Sequence, residues 1–488
     1  MQVDFVQTAI FLLVTAGIGF FTWLKCRTPR THTGDSNRDY FLAGGSLTWP
    51  YIAGSITLTN LSTDQLVGMN GNQMLLIAWW ELAAVSGLVI LAFVFLPLYY
   101  KHQCTTTTEL LEKKLGGKAL RATISTLFLL GGALIYLPIG LYTGALFMKT
   151  MFGADLPIVV IAGALAAVGT AYAVFGGLRA VAVSDTYSGV GILGLALLVA
   201  FLAAQAIDFD FSSIPPERLT MLGDKDSPIP FSTLFTGMIF IQIFYWSFNQ
   251  TITQRAMAAP SLAEARRGVL AAAAIRLLII PIIIAVPGVV AYKLYGDIGD
   301  AAYGRVVAEV LPSWLSGAFA AMMAAAVLTS VNSGLNSAAA LYVCDIHEPY
   351  FKPNPRVREL AVAITIGLTL FAVALVPFYS GAQSIINLVQ QLNGLLSMPI
   401  LSAFFLAIFF KNVDPRAALA AVVAGTIGYG LASFFWVKDI HYIHTMLATL
   451  IACMAFALAV NRMAFGRKAA LNFDDFVFPG SRNTAAHV

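Results

Sequence analysis

Two runs of small polar residues lie inside stretches that are otherwise apolar. They are Thr57-Leu58-Thr59-Asn60-Leu61-Ser62-Thr63-Asp64-Gln65 and Thr329-Ser330-Val331-Asn332-Ser333-Gly334-Leu335-Asn336-Ser337. Gathered away from water, their hydroxyl, amide and carbonyl oxygens suit a monovalent hard cation such as sodium, whereas calcium asks for more carboxylates. In the second run Ala326, Thr329, Ser330 and Ser333 recur at helical spacing and share one face. The Ala326 carbonyl with the Thr329 and Ser330 hydroxyls makes half of a sodium site; helix packing through small residues is the competing reading of that run alone. In the first run, consecutive Ser62, Thr63, Asp64 and Gln65 would point to nearly every face of a helix. An unwound segment resolves this, and it frees carbonyls such as those of Leu58 and Leu61 to face an ion. The alternative is a helix buried all round, with these side chains bonding back to their own backbone.

Further polar residues sit at similar depth. Glu81 follows Trp79-Trp80 and precedes an apolar run. An intramembrane carboxylate is functional by default, and an interfacial glutamate anchored beside its tryptophans is the bland reading. Asp185 is either an inner ion ligand or a residue at a helix N-terminus responding to the dipole. Gln242, Tyr245, Trp246, Asn249 and Gln250 combine amides with aromatic rings, as do Gln390, Gln391 and Asn393 without them. Amides beside rings suit a polyol, whose hydroxyls need paired donors and acceptors while its C–H face stacks; interhelical bonding is the competing role for each one singly. Arg276 faces a water cavity or snorkels to the inner surface.

These residues need a scaffold, and the composition says which. The 488 residues are 58% hydrophobic and 11% charged, with mean hydropathy +0.78. A soluble domain carries about 25% charge, so the chain is a polytopic all-α membrane protein. Spans of about 20 residues are expected at 4–24, 48–70, 76–100, 120–150, 155–175, 180–206, 229–253, 266–292, 306–342, 357–378, 384–409, 415–436 and 442–463. That is about 13 spans, the longest beginning with an outer helical turn. Loops are expected at Phe175-Gly176-Gly177 and Pro353-Asn354-Pro355. The first apolar run has Asp4 where a signal peptide has basic residues, and it is read as a retained span. With the N-terminus outside and the C-terminus cytoplasmic, 22 of the 29 lysines and arginines fall at inner loops and span ends and 6 outside. The net charge of +4 is spread over loops, which argues against nucleic acid as a partner. Cys26, Cys104, Cys344 and Cys453 show no metal spacing, and disulfides are not expected.

The stretch Tyr40-Phe41-Leu42-Ala43-Gly44-Gly45-Ser46-Leu47, then Asn60 to Gln65 with Val67-Gly68-Met69, resembles the sodium/solute symporter family. Phe175-Gly176-Gly177-Leu178-Arg179-Ala180-Val181 into Asp185, Tyr245-Trp246-Ser247-Phe248-Asn249-Gln250, and Thr329-Ser330 through Ser337 continue the match. The similarity runs from about residue 40 to 465 and is strongest to bacterial sodium/sugar cotransporters. It implies a LeuT-type fold, two inverted five-helix repeats with discontinuous helices. The repeats would be 48–206 and 229–409. Around them lie an extra helix and cytoplasmic loop (1–47), an extracellular loop (207–228), two further helices (410–466) and a cytoplasmic tail (467–488).

The resemblance also implies roles. Sodium would bind the carbonyls of Leu58, Leu61 and Ala326 and the hydroxyls of Thr329 and Ser330. Asp185, Asn332 and Ser333 with Thr329 would hold a second sodium. A sugar would meet Asn60, Gln65, Glu81, Gln242 and Gln390, with Tyr245 stacked as the inner gate and Met69, Trp80 and Ile386 closing the outer side. Two positions depart from the family's pattern: a sugar-holding serine is Ala84, and Arg276 stands about one position away from an expected lysine. No arginine occurs within residues 122–150, where the sialic acid members hold the substrate carboxylate.

The expected function is sodium-coupled import of a neutral galactose- or glucose-like sugar across the plasma (inner) membrane by alternating access. Myo-inositol or another neutral solute is the alternative, with sialic acid or proton coupling behind it. An enzyme is not expected, because His32, His102, His347, His441, His444 and His487 all fall in loops, tails or span ends. A monomer suffices for all of this.

Overall fold

The computed structural model describes residues 5–26, 36–351, 356–380, 384–436 and 439–473. The Pro353-Asn354-Pro355 loop and most of the expected tail lie outside them. Ten described helices are long and apolar enough to cross a membrane. The first, α1 (Phe5–Cys26), is largely unburied within the molecule. The remaining expected spans fall on shorter helical pieces, and two of them, 48–70 and 229–253, are broken beside the site.

The first broken span is α2 (Trp49–Asn60) followed by α3 (Thr63–Gly71). Between them Leu61 has φ −77° and ψ 66°, and Ser62 is extended at φ −98° and ψ 179°. The local cause is compositional: Asn, Ser, Thr and Asp offer the backbone hydrogen bonds that compete with the helix ladder. Helix α4 (Trp79–Ile90) continues through a π turn at Leu91–Phe95 to Lys101. Then come α5 (Lys118–Gly131) and α6 (Leu137–Phe152), joined by a second π turn, Gly132–Tyr136.

Helix α7 (Ile158–Ala206) is helical where a loop was expected at Phe175-Gly176-Gly177. The side chains of residues 171–177 lie outside the described set. Both halves of α7 nevertheless pack beside one short stretch of a later helix: a methyl group at Gly169 would lie 3.3 Å from Leu328, and one at Gly191 2.7 Å from Met322. A straight helix would separate residues 169 and 191 by about 33 Å, against about 9 Å for residues 322 and 328. Helix α7 is therefore not a straight rod between those points.

The second broken span is α8 (Gly237–Ser247) and α9 (Gln250–Met257). Asn249 caps α9, its side-chain oxygen accepting from the Thr251 N–H at 2.9 Å. Helix α10 (Leu262–Leu278) passes into α11 (Ile280–Tyr295) with Pro281 at the restart. The outer helical turn expected at the start of 306–342 is a separate helix, Ala302–Val310, after which α12 runs Ser313–Ala340 and ends in a π turn, Leu341–His347. Helices α13 (Val357–Leu375), α14 (Ile385–Phe409), α15 (Pro415–Leu431) and α16 (Tyr442–Met463) complete the set. A two-residue strand after α14, Phe410–Lys411, pairs antiparallel with Ala470–Leu471.

Helix α2 packs on α7 and α10, α4 on α8 and α10, and α7 on α12. The close approach of α4 to α8 depends on Gly87, where a methyl group would lie 2.4 Å from the Gln242 carbonyl oxygen.

Candidate ion and substrate sites

At the α2–α3 break no described backbone N–H donates to the Leu58 or Leu61 carbonyl; the nearest returning bond is Leu61 N–H to the Thr57 carbonyl, 2.8 Å. Both residues are fully buried. Helix α12 lies opposite: Thr329 Oγ1 donates to the Ala326 carbonyl at 3.2 Å, and Ser330 Oγ to the Thr59 carbonyl at 3.4 Å. Of the five residues expected to hold sodium, Ser330 thus reaches the α2–α3 break directly, at the Thr59 carbonyl between Leu58 and Leu61, with Thr329 and Ala326 beside it on α12. Free carbonyls together with neutral hydroxyls supply what a weakly held monovalent cation needs.

Asp185 lies well inside α7, not at a helix start, which removes the dipole reading. Its Oδ2 accepts from Ser55 Oγ at 2.5 Å and Thr59 Oγ1 at 3.4 Å, and Thr59 Oγ1 lies 3.3 Å from Ser333 Oγ. Arg255, counted with the inner cations from sequence, is wholly buried here. It donates through Nε to Ser55 Oγ at 2.7 Å and through Nη2 to Ser333, and it lies 4.0 Å from Asp185. Asn332 stands apart from this cluster. Its oxygen lies near Gly169 of α7, and neither amide atom is bonded among the described residues. The family resemblance grouped Asn332 with Ser333, but adjacent helical positions point about 100° apart.

The second group lines a small cavity of about 60 Å³. Glu81 is 1% exposed, not interfacial. It accepts from Gln65 Nε2 at 2.6 Å and pairs with Arg276. Arg276 neither snorkels nor faces a wide water cavity: it is fully buried, its guanidinium 4.3 Å over the Trp246 ring and 3.4 Å from the Thr57 carbonyl. The Asn60 amide, oriented to satisfy its neighbours, donates to the Tyr245 hydroxyl at 2.6 Å and accepts from Gln65 Nε2 at 2.7 Å and from Arg276 at 2.7 Å. Gln242 donates to the Trp80 carbonyl at 2.9 Å and accepts from Trp246 Nε1 at 2.9 Å. Gln390 accepts from Asn393 at 3.1 Å, and Asn393 is bonded in turn by Tyr136.

Met69, Trp80 and Ile386 border the same cavity and are each at most 3% exposed. Tyr245 borders it too, and also a second cavity of about 110 Å³ that Thr59, Ser62, Ser330 and Leu341 line. Ala84, where the family pattern has a serine, is buried and supplies no hydroxyl. Of three further residues singled out in the sequence, Gln391 bonds Ser433 away from the cavities, while Asn249, which caps α9, and Gln250, which bonds the Thr105 and Thr107 backbone, line the second one.

Residues 40–425 match the model of the sodium:solute symporter family. The chain belongs to that family. It is 34% identical to an uncharacterised symporter of Escherichia coli, YidK, over 91% of this chain and 81% of that one. It is 29% identical to the sodium/glucose cotransporter of Vibrio parahaemolyticus (93% and 89% covered) and 26% to sodium/myo-inositol cotransporter 2 of Rattus norvegicus (90% and 74%). Among solved structures, a Na+-coupled sialic acid symporter in its substrate-bound outward-open state superposes with a TM-score of 0.81 at 18% identity, covering 95% of this chain and 98% of that one. MhsT, solved with L-phenylalanine, gives 0.52 at 13%, covering 85% and 99%. The symporter therefore has the LeuT-type fold of inverted repeats with broken helices, and it is a transporter, not an enzyme.

Proposed function

We propose that this symporter imports a neutral sugar, galactose- or glucose-like, with sodium by alternating access. One observation carries the reading. The break in the α2–α3 span, where Ser330 of α12 bonds the Thr59 carbonyl, leads directly through Asn60 to the amide-lined cavity of Gln65, Glu81, Gln242 and Gln390. Sodium bound at this break would tie α2 and α3 to α12 and set Asn60 and Gln65 in place for sugar hydroxyls. The cavity's polar groups now bond one another, so an arriving polyol would exchange its hydroxyls for those bonds. Sugar binding under Trp80, Met69 and Ile386 would close the outer side, and movement of Tyr245 would open the inner one.

One charge moved through 100 mV supplies about 2.3 kcal/mol. A hundredfold sugar accumulation needs about 2.8 kcal/mol. One sodium with its concentration gradient thus nearly suffices. A second sodium, at Asp185, Asn332 and Ser333 with Thr329, has less support from the geometry, because Arg255 already bonds Ser333 and Asn332 faces α7. We take 48–206 and 229–409 as the two repeats, with the N-terminus outside and the C-terminus in the cytoplasm of a plasma (inner) membrane. Myo-inositol is the second reading, favoured by the likeness to sodium/myo-inositol cotransporter 2.

The test is uptake of labelled galactose, glucose, myo-inositol, sialate and proline into proteoliposomes, with and without an inward sodium gradient. Sodium-dependent uptake of galactose or glucose is expected. Uptake of only the acid or the amino acid, or uptake driven by protons alone, refutes the assignment.

A further inference from the structure

Buried carboxylates in the spans come with cations. Glu81 has Arg276, Asp345 has Arg121 at 2.6 Å, and Asp185 has Arg255 at 4.0 Å. Asp64 has no such partner: among the described residues no lysine, arginine or histidine nitrogen lies within 4.0 Å of it. The Ser62 hydroxyl donates to its Oδ1, and the backbone N–H groups of Asp64 and Gln65 also bond the carboxylate, so its contacts among the described residues are neutral donors with no cation. Asp64 sits at the start of α3, and it borders both cavities, beside Gln65, Gln390 and Asn393 on one side and Thr59 and Ser330 on the other. A carboxylate that borders a poorly solvated cavity without a counter-charge is costly, and an intramembrane carboxylate without an ion-pair partner marks a place where the partner arrives from outside.

The neighbouring charges sharpen this. Arg276 would by itself invite an acidic solute, but its charge is taken up by Glu81. Counting Glu81, Arg276 and Asp64, the walls of the substrate cavity carry one uncompensated negative charge, at Asp64. We infer that Asp64 sets the charge selectivity of the substrate cavity: it receives the donor-bearing end of a polyhydroxylated solute, hydroxyls or an ammonium group, and turns away carboxylated sugars. The inference rests on the sugar-transport reading and narrows its substrate class. A solute lying along Gln65 and Gln390 reaches Asp64 at the inner end of the cavity, next to Tyr245. A second carboxylate there would face a like charge across a low-dielectric gap, which costs far more than it would in water.

The experiment is ligand-induced thermal stabilisation of the purified full chain by galactose, galactosamine and galacturonate, in the wild type, Asp64→Asn and Asp64→Glu, with sodium-dependent stabilisation as the folding control. In the wild type, galacturonate is expected to bind at least about tenfold more weakly than galactose, with galactosamine no weaker than galactose. Asp64→Asn should close the galacturonate gap to within about threefold and weaken galactosamine, whereas Asp64→Glu should keep the wild-type order. An order that Asp64→Asn leaves unchanged overturns the inference, as does wild-type protein that binds galacturonate as well as galactose. Symport and selectivity can fail separately. Absent sodium-driven uptake with the binding order as expected defeats the transport reading and leaves the role of Asp64 standing. Sodium-driven uptake with an order insensitive to Asp64 does the reverse, and no binding of any of the three defeats both.

Discussion

Replacing Arg276 by alanine should be among the most damaging single changes in the substrate region. The guanidinium is fully buried and meets Glu81, the Asn60 amide, the Thr57 carbonyl and the face of Trp246. Truncation strands the Glu81 carboxylate with Gln65 as its remaining hydrogen-bond donor. Breaking a buried ion pair from one side costs about 3–5 kcal/mol, because the abandoned charge stays desolvated. An independent sum agrees: a charge-assisted hydrogen bond is worth about 1.5–3 kcal/mol, and a desolvated cation–π contact about 2 kcal/mol. The double variant Glu81→Gln with Arg276→Met removes both charges and should recover most of the loss, leaving a coupling of about 2 kcal/mol or more. The assay is thermal unfolding of detergent-purified protein for the wild type, both single variants and the double variant. A double variant whose loss equals the sum of the singles, or Arg276→Ala costing under about 1 kcal/mol, refutes the idea that this pair is one unit.

Thr329→Ala should raise the sodium concentration for half-maximal uptake by about tenfold or more, since it removes a hydroxyl from the proposed sodium site; an unchanged sodium dependence would take Thr329 out of the site. Gln65→Ala should weaken sugar binding while sodium-induced stabilisation persists, and equal sugar affinity in the variant would count against the cavity. Asp300 lies in the turn Gly299–Ala301, where Oδ2 accepts from the Ile385 N–H at 3.0 Å, and burial pushes its carboxyl up from 3.8 to about 6. A raised folded-state value means that this packing is stabilised by the protonated form below about pH 4 and loses that contribution as pH rises through about 6. The wild type should therefore lose more thermal stability than Asp300→Asn between pH 4 and pH 7. Parallel pH profiles would show that Asp300 does not titrate there.

Much of the site could be read along the chain, because the relevant physics is local. A dense run of Ser, Thr, Asn and Asp cannot continue an α-helix in a dry place, so the break at Leu61-Ser62 was visible at Asn60 to Gln65. The face carrying Ala326, Thr329 and Ser330 follows from helical spacing alone. The break at Phe248-Asn249 has a weaker signal, one capping asparagine among aromatics, and the residues themselves did not single it out. The loop expected at Phe175-Gly176-Gly177 falls inside one helical run, yet Gly169 and Gly191 both pack beside the Met322–Leu328 stretch, so the chain changes direction between them as separate spans on either side require.

Composition and apolar periodicity by themselves determined that this chain is a bundle of membrane-spanning helices with oxygen-rich breaks, since burying apolar length and satisfying backbone groups depend on near neighbours. Partners for buried charges are a different matter. Arg276 and Glu81 are 195 residues apart, and only the packing of α10 on α4 brings them together. The same packing placed Arg255 on Ser333, turned Asn332 toward α7 and left Asp64 facing two cavities without a cation. A charge in a low-dielectric interior is governed by whatever lies within a few ångströms, and that set is decided by helix packing rather than by order along the chain.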